Sequence, residues 1–356
     1  MTWIPLLLAS PSPTLRYLVF RDLLEDPDEG EVEEIKNLQH TDPLITTLLH
    51  LQNPDGSWNR SESVGLTQAT SLLNTAQALA RLGYYGFDRS HPAVEKGAHY
   101  LFSHQQSDGS WTPPQSDRKS TRKPHKRKST SSGTLSDSSV VTPLQTALPL
   151  RGLAMCGYAT DTRAEHAYTW LLNTRLPDGA WPTRLTEEGS YGYRAGYRAL
   201  PHSPWGCRSN TTGAVQCLAF HPHRRHAPEA RRALDLLLAR ETRDAHVLGF
   251  ETARMAGIES AQGFITFFAR FDGGLLLDLC WRIGATRDDA RVSSLISFVT
   301  DLQGPYGIWE YPHPQANRWI TFDLLRSLSW IDEEGDWISR EPPTPFHGYT
   351  PIQKRY

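Results

Sequence analysis

Four short stretches of the chain repeat one phrase: "LQNPDGSW" (51–58), "QQSDGSW" (105–111), "RLPDGAW" (175–181) and "LQGPYGIW" (302–309). Each places a glycine two residues before a tryptophan, and each follows a stretch with helical periodicity. Glycine permits the positive φ of a tight turn, and an indole ring can pack across the start of the next unit. The phrase therefore predicts a turn that closes one helix pair and is fastened to the next pair by its tryptophan.

The sequence between the phrases is organised in helix pairs. The break within three of these pairs is predicted at Gly83, Gly157 and Gly284. A degenerate copy is predicted at 233–250, where Gly249-Phe250 replaces the glycine and tryptophan. Helical repeats of about 50 residues are typical of helical arrays and toroids, and the helical periodicity excludes a propeller.

The bulk composition is that of a globular protein. The chain has 356 residues, 38% of them hydrophobic, and a formal net charge of −2. We expect no membrane span, because every apolar run is shorter than the roughly 20 residues that a membrane helix needs. The N-terminal stretch lacks the pattern of a signal peptide and the four cysteines form no CxxC pair, so a cytoplasmic protein with reduced thiols is expected.

Residues 113–139 differ from the rest of the chain, being rich in Ser, Thr, Pro, Lys and Arg. Such a segment buries too little apolar surface to offset its ordering entropy, so a disordered insertion is predicted. Its basic run at 118–128 has two interpretations, a nuclear localisation signal or a solvated loop without a specific partner. Nucleic-acid binding is not expected, because zinc-finger spacing and interleaved aromatic and basic residues are absent from the sequence. Residues 340–356 are predicted to form an irregular C-terminal tail.

The four phrases resemble the QW-type repeats of the squalene-cyclase and protein-prenyltransferase superfamily. The resemblance extends from about residue 45 to residue 330 and implies an all-α fold, an α/α toroid, as a single domain over residues 1–356. In that fold, inner and outer helices alternate around a central cavity. It also implies a small apolar or isoprenoid substrate bound in the cavity.

The diagnostic residues of the superfamily can be compared one by one. Squalene cyclases carry a DxDD acid, which this sequence lacks; its adjacent acids Asp288-Asp289 lie between two predicted helices, where capping explains them. Protein prenyltransferases bind zinc through an Asp-x-Cys pair and a later histidine. Asp278-Leu279-Cys280 resembles the pair, but Ile320 stands at the place of the histidine. Zinc is therefore not expected, whereas Mg²⁺ stays open for a diphosphate substrate.

Asp272 is the leading candidate for a catalytic acid. It lies near the start of a predicted inner helix, and the two glycines after it leave space beside it. The alternative is a helix N-cap, which favours the same residue type at the same place. Glu251 is a weaker candidate acid.

The stretch 189–213 is predicted to be a long binding loop or lid, because it is polar and aromatic with little apolar periodicity. Its arginines suit a diphosphate or carboxylate, and its rings offer π faces. A surface loop with its rings packed on neighbouring helices is the alternative. The predicted substrate-binding residues are Tyr193, Arg194, Tyr197, Arg198, His202, Trp205 and Arg208.

Two other groups of residues carry charge or potential metal ligands. The end segments 10–26 and 315–331 share a pattern and are predicted to meet where the ring closes, with ion pairs among Arg16, Asp22, Arg318 and Asp323. Cysteines and histidines cluster between 207 and 226, but their spacing fits no known zinc finger.

These expectations lead to two candidate functions. The first is a terpenoid cyclase-like or prenyltransferase-like enzyme that acts on an isoprenoid or similar apolar substrate in the central cavity. Asp272 would be its acid and residues 189–208 its polar lid. The second is a non-catalytic toroid that binds a hydrophobic ligand or a protein partner. An aromatic cavity with one desolvated acid favours the first, and a cavity filled by core side chains favours the second.

Overall fold

The structure is a computed structural model that describes residues 3–58, 71–111, 142–184, 191, 198–239, 248–259 and 271–343. In chain order the helices are α1 (Trp3–Leu8), α2 (Pro13–Leu23), α3 (Glu29–Leu38), α4 (Pro43–His50), α5 (Ser71–Tyr84), α6 (Pro92–Ser103), α7 (Pro143–Leu153), α8 (Thr162–Asn173), α9 (Arg208–Ala219), α10 (Pro228–Leu238), α11 (Phe250–Met255), α12 (Gly273–Ile283), α13 (Ala290–Asp301) and α14 (Asn317–Trp330). The strands β1 (Ala199–Leu200) and β2 (Ser203–Cys207) form an antiparallel hairpin.

The helices form two concentric layers. The inner helices α5, α7, α9, α12 and α14 pack side by side in chain order, and the outer helices α6, α8, α10 and α13 each pack on an inner one. The ring closes where Tyr84 at the end of α5 and Tyr85 directly after it meet Trp319 of α14, with ring centroids 6.0 and 5.8 Å apart. This arrangement is the predicted all-α α/α toroid.

Burial distinguishes the two layers. Every residue of α9, an inner helix, is buried. The outer helix α13 buries one face instead, with Val292, Leu295 and Val299 at helical spacing. Its opposite face is exposed to solvent.

The four tryptophans join neighbouring units, as predicted, and their indoles are buried. Each indole Nε1 donates to the carbonyl ten residues earlier, and each backbone N–H donates to a threonine hydroxyl on the next inner helix. The indole bond holds each tryptophan on the preceding helix, and the backbone bond holds it on the next inner helix. The two bonds together join one unit to the next in a fixed register. The pairs are Trp58 with Leu48 O and Thr75 Oγ1, Trp111 with Leu101 O and Thr146 Oγ1, Trp181 with Leu171 O and Thr211 Oγ1, and Trp309 with Val299 O and Thr321 Oγ1.

The glycine of each phrase has positive φ, between 77° and 101°. At Gly56 and Gly109 there is also no room for a side chain, because a Cβ would lie 2.3 and 2.5 Å from carbonyl oxygens of Lys96 and His166. Those residues belong to the next outer helix in each case. The turn therefore packs directly on the backbone of the following unit.

Two details of the predicted helix pairs need correction. Gly157 and Gly284 have positive φ at their breaks, but α5 ends at Tyr84 and its positive φ is at Gly86. Gly83 instead lies in α5, where a Cβ would be 2.7 Å from the backbone of Met155, so it allows inner helices to approach closely. In the degenerate copy, Gly249 has positive φ, but the residue after it, Phe250, already begins a helix, α11.

The predicted long loop at 189–213 is wrong over its second half. Residues 199–207 form the β hairpin, and residue 208 begins α9. Because α9 is buried on all sides and carries polar residues that bond to neighbours, it lacks the one-sided apolar pattern of an amphipathic helix. Asn210 Nδ2, for example, donates to the carbonyl of Pro182.

Several predictions concern residues outside the described ranges. They include the basic insertion at 113–139, three of the candidate binding residues and residues 344–356 of the tail. The first part of the predicted tail is described, and there Arg291 donates to the carbonyl of Glu341 at 3.0 Å. The three candidate residues are Tyr193, Arg194 and Tyr197.

Among the described helices, none has both the length and the hydropathy needed to cross a membrane.

Candidate functional site

The ring of inner helices encloses a central cavity of about 180 Å³ near the C-terminal ends of α5, α7 and α9. Its described lining contains four arginines and three carboxylates beside a few apolar side chains. The charged lining residues are Arg21, Arg151, Arg282, Arg326, Glu251, Asp278 and Asp323.

The short helix α11 runs through the interior of the ring. Arg254 Nη1 donates to Gln77 Oε1 on α5 at 2.8 Å, and Thr252 Oγ1 donates to Asp323 Oδ2 on α14 at 2.7 Å. At the start of α11, Phe250 packs against Leu144 and Leu148 of α7. The interior is thus filled largely by α11 and the charges that surround it.

The first group of charges is centred on Glu251. Its carboxylate lies 2.5 Å from Arg151 Nη1 and 2.8 Å from Arg254 Nη2. Burial acts to raise the pKa of Glu251, but the two guanidinium ions outweigh it and lower the pKa below its ordinary value. Glu251 is therefore ionised at neutral pH and shared between two arginines.

The second group of charges is centred on Arg326. Its guanidinium lies 2.7 Å from Asp323, 3.4 Å from Asp278 and 3.5 Å from Asp22. Arg282 pairs with Asp278 at 2.9 Å. Burial raises the pKa of Asp323, whereas Arg282 and Arg326 outweigh burial at Asp278 and lower its pKa.

The second group also corrects the predicted ion pairs of ring closure. Helices α2 and α14 do meet, and the carboxylates of Asp22 and Asp323 do take part. The arginine that they share is Arg326, whereas the sequence predicted Arg16 and Arg318. Arg326 is one turn beyond Asp323 on α14, on the side of that helix that faces the ring interior.

Asp272, the predicted acid, is the N-cap of α12 and is 6% exposed. One carboxylate oxygen accepts the N–H groups of Gly249 and Gly274 at 2.9 and 3.0 Å, and the other accepts that of Glu251 at 2.7 Å. Burial raises the pKa of Asp272 to about 6 despite these bonds. Its position shows the capping role directly, and its role as a catalytic acid stays a prediction.

The predicted binding residues that the structure describes have different surroundings. The Arg208 guanidinium lies 4.3 Å from the ring centroid of Phe271, next to Asp272, and Arg198 Nη2 donates to Cys207 Sγ at 2.9 Å. His202 instead bonds to the carbonyl of Pro342, and Trp205 is 56% exposed. Of the predicted binding residues that the structure describes, none lines the central cavity.

The side chains of the Asp-x-Cys pair have different surroundings. Asp278 lines the central cavity, whereas Cys280 is buried in the hydrophobic core, where burial raises the pKa of its thiol. Over the described residues, no group of three His, Cys, Asp or Glu side chains is placed to hold a metal ion.

Sequence reasoning missed the arginines of the central cavity. Arg151, Arg282 and Arg326 each stand in an apolar helical stretch: "ALPLRGLAM", "DLCWRIG" and "DLLRSLSW". A charge in such a stretch must be buried with a partner, which marks it as a candidate interior residue.

A larger concavity lies outside the ring. It measures about 1030 Å³ and runs between α13 and residues 337–343. The charges at its floor are paired with one another, Arg291 with Asp235 at 2.7 Å and with Asp289 at 2.8 Å. The central cavity is the better candidate, because the inner helices converge on it and four arginines line it.

Comparison with known proteins agrees with the fold. Residues 30–194 match the family model of the squalene-hopene cyclase C-terminal domain. An Asp-to-Asn variant of the type II terpene cyclase MstE from Scytonema, solved with the substrate geranylgeranyl dihydroxybenzoate, is 16% identical, with a TM-score of 0.45 over 80% of this chain and 70% of that one. A protein from Actinoplanes is 16% identical, with a TM-score of 0.42 over 92% and 89% of the two chains.

None of the curated proteins matches the sequence. The family match and the toroid together support the terpenoid-cyclase superfamily, which is the resemblance that the four phrases predicted.

Proposed function

We propose that the protein binds an isoprenoid compound with an anionic end, such as a prenyl diphosphate, inside the toroid. The observation that carries the proposal is the convergence of four arginines, Arg21, Arg151, Arg282 and Arg326, on the central cavity. Guanidinium ions bind phosphate and carboxylate oxygens through paired, charge-assisted hydrogen bonds. The resemblance to terpenoid cyclases supports an isoprenoid as the remainder of the ligand.

The interior also offers an apolar region for such a ligand. Leu73, Leu144, Leu148 and Phe250 form a cluster at the opposite, N-terminal ends of α5 and α7, and we call it the apolar cluster. A charged cavity at one end and an apolar cluster at the other match an amphiphilic molecule.

The same charges argue against cationic cyclisation of a hydrocarbon in the central cavity. A carbocation is stabilised by π faces and anions, whereas guanidinium ions repel it. Glu251 and Asp278 have lowered pKa values and are therefore poor proton donors at neutral pH.

The filled interior favours a second candidate, which is a toroid that binds its ligand or a protein partner without chemical turnover. The cavity of about 180 Å³ is smaller than most ligand sites, which occupy roughly 300–1,000 Å³. Turnover of a long isoprenoid would need more room than this conformation provides.

Titration of the purified full chain tests the proposal. Farnesyl diphosphate, farnesol and squalene would be added with and without Mg²⁺, with binding measured by calorimetry and products by mass spectrometry. We expect the diphosphate to bind at least tenfold more tightly than farnesol, because only the diphosphate engages the arginines. A new product would identify an enzyme, and intact ligand would identify the second candidate.

A pair of arginine variants provides the control. Arg282→Met removes a guanidinium from the cavity and should weaken binding of farnesyl diphosphate at least tenfold, provided that circular dichroism shows a folded protein. Arg163→Met removes a surface arginine that stacks on Phe102 and should leave affinity unchanged. Equal affinity for farnesol and farnesyl diphosphate would overturn the proposal.

A further inference from the structure

Helix α11 departs from the two-layer repeat of the toroid. Among the described helices it contacts three inner helices at once, α5, α12 and α14, and its Glu251 reaches a fourth, α7. It therefore occupies space that the repeat would otherwise leave open. Glycines with φ of 78° and 75°, Gly249 and Gly257, bound it on the two sides.

The first two side chains of α11 are one apolar group and one anion, as in an amphiphilic ligand. Phe250 contributes to the apolar cluster with Leu144 and Leu148. The next residue, Glu251, presents its carboxylate to Arg151 on α7. An apolar group and an anion thus lie side by side where the interior changes from apolar to charged.

The charge of α11 is balanced within the helix. Glu251 pairs with Arg254 one turn later, through bonds of 2.8 and 3.0 Å. The Arg326 group is balanced as well, because Arg21, Arg282 and Arg326 face Asp22, Asp278 and Asp323. Arg151 is the lining arginine whose carboxylate partner belongs to α11, so it would lose this anion if α11 moved away.

Two residues that pair with α11, Arg151 and Gln77, each keep a buried donor that the helix does not satisfy. Arg151 Nε and Gln77 Nε2 are buried and have no acceptor among the described residues. A carboxylate has two oxygens, and both already accept from Arg254. A terminal phosphate has three oxygens and could also serve the unused donors.

We propose that α11 is an internal substitute for the ligand, and that a phosphate-bearing isoprenoid displaces it, placing its phosphate on Arg151 and Gln77 and its chain against Leu144 and Leu148. The inference rests on the proposed function for the class of ligand. It adds that the resting protein is self-blocked, and that the volume of α11 becomes available to the isoprenoid chain when the helix leaves. The bonds that hold α11 in place include two from the N–H groups of Gly249 and Glu251 to Asp272 and one from Thr252 to Asp323. At the end of the helix, Tyr85 Oη donates to the carbonyl of Met255, and Arg254 donates to Gln77.

Hydrogen–deuterium exchange of the full chain, with and without geranyl diphosphate and inorganic diphosphate, tests the displacement. We expect exchange of the amides of residues 250–256 to rise several-fold when geranyl diphosphate binds, while those of α5 and α7 stay protected. Calorimetry on the same samples reports whether each ligand binds. Binding with unchanged or slower exchange at 250–256 would overturn the displacement and leave the proposed function intact.

A pair of threonine variants measures how α11 is held. Thr252→Val removes the bond to Asp323, so we expect faster exchange at 250–256 without ligand and about fivefold tighter binding of geranyl diphosphate. Thr174→Val removes a comparable bond to Leu171, remote from the cavity, and should leave affinity unchanged. The inference would be wrong if Thr252→Val and the unchanged protein bound geranyl diphosphate with equal affinity, or if neither bound it.

Discussion

Asp272 accepts N–H groups from two helices at once. As the N-cap of α12 it binds Gly274, and it also binds Gly249 and Glu251 at the start of α11. Backbone N–H groups at helix starts favour an ionised carboxylate, but complete burial disfavours it more strongly and raises the pKa of Asp272 to about 6. This carboxyl group therefore titrates within the physiological range.

The raised pKa of Asp272 predicts a pH dependence of stability. Because the folded protein binds this proton more tightly than the unfolded chain, the contribution of Asp272 to the free energy of unfolding falls as pH rises from about 4 to about 6. Asp272→Asn cannot titrate. We expect the stability of the unchanged protein minus that of Asp272→Asn to fall by on the order of 2–3 kcal/mol over this window.

Urea unfolding of both proteins at several pH values between 3.5 and 8 would measure the difference. A constant offset between the two stability curves would contradict the prediction. The offset itself is expected to be unfavourable for Asn, which can accept hydrogen bonds through only one side-chain oxygen.

At the scale of the element, two positions with similar positive φ require glycine for different physical reasons. Gly109 has φ of 92°, and a Cβ there would lie 2.5 Å from the carbonyl oxygen of His166. Gly157 has φ of 84°, with nothing within 4 Å of the Cβ position. The first packs against the next unit, and the second only permits the backbone turn.

Alanine substitutions should separate these two effects. Gly157→Ala is expected to cost about 1 kcal/mol of unfolding free energy, which is the penalty of left-handed backbone alone. Gly109→Ala adds a collision with backbone and should cost at least about 2 kcal/mol more. Thermal and urea denaturation would measure both, and equal losses would show that the turn does not need its close contact with α8.

The helix pairs and their turns could be predicted from sequence wherever the contacts that define them lie close together in the chain. Each tryptophan bonds to a carbonyl ten residues earlier, so the glycine–tryptophan phrase recurs with recognisable spacing. The helix α9 escaped prediction because burial on all sides removes amphipathic periodicity. At the degenerate copy, Gly249 keeps the positive φ but a helix begins directly after it, and the sequence pattern alone did not predict that helix start.

At the scale of the whole molecule, Arg326 connects both ends of the described chain. It pairs with Asp22 near the start and with Asp278 and Asp323 near the end. The side chain is almost wholly buried, so its charge depends on these partners and theirs depends on it.

Arg326→Met should therefore destabilise the toroid strongly. Removing one partner of a buried ion network leaves uncompensated charge and typically costs about 3–5 kcal/mol. Urea unfolding would measure the loss. Lys36→Met, which breaks an exposed pair with Glu33, is the control and should change stability by less than about 0.5 kcal/mol. A loss below about 1 kcal/mol in Arg326→Met would mean that the closure does not depend on this network.

The central cavity could not be predicted in the same way as the fold. Its charges come from helices far apart in sequence; Gln77 and Arg254, for instance, are 177 residues apart. No spacing rule joins such residues, and only the apolar setting of each arginine marks it as interior. Asp272 could be singled out from sequence because it stands at a predicted helix start, directly before two glycines. Its bonds to the start of α11 could not be predicted, because they form only in the complete ring.

The tryptophan fasteners have a consequence for how such chains diversify. The same bond from a tryptophan N–H to a threonine spans 12 residues at Trp309 and 35 at Trp111. Loop-closure entropy grows with the logarithm of length, so the longer connection costs only roughly 1 kcal/mol more. Insertions between a tryptophan and the next inner helix are therefore thermodynamically inexpensive, and all of them enter at the same rim of the toroid. The connections at that rim can therefore change in length and sequence during evolution, one unit at a time, without altering the register of the helices in the ring.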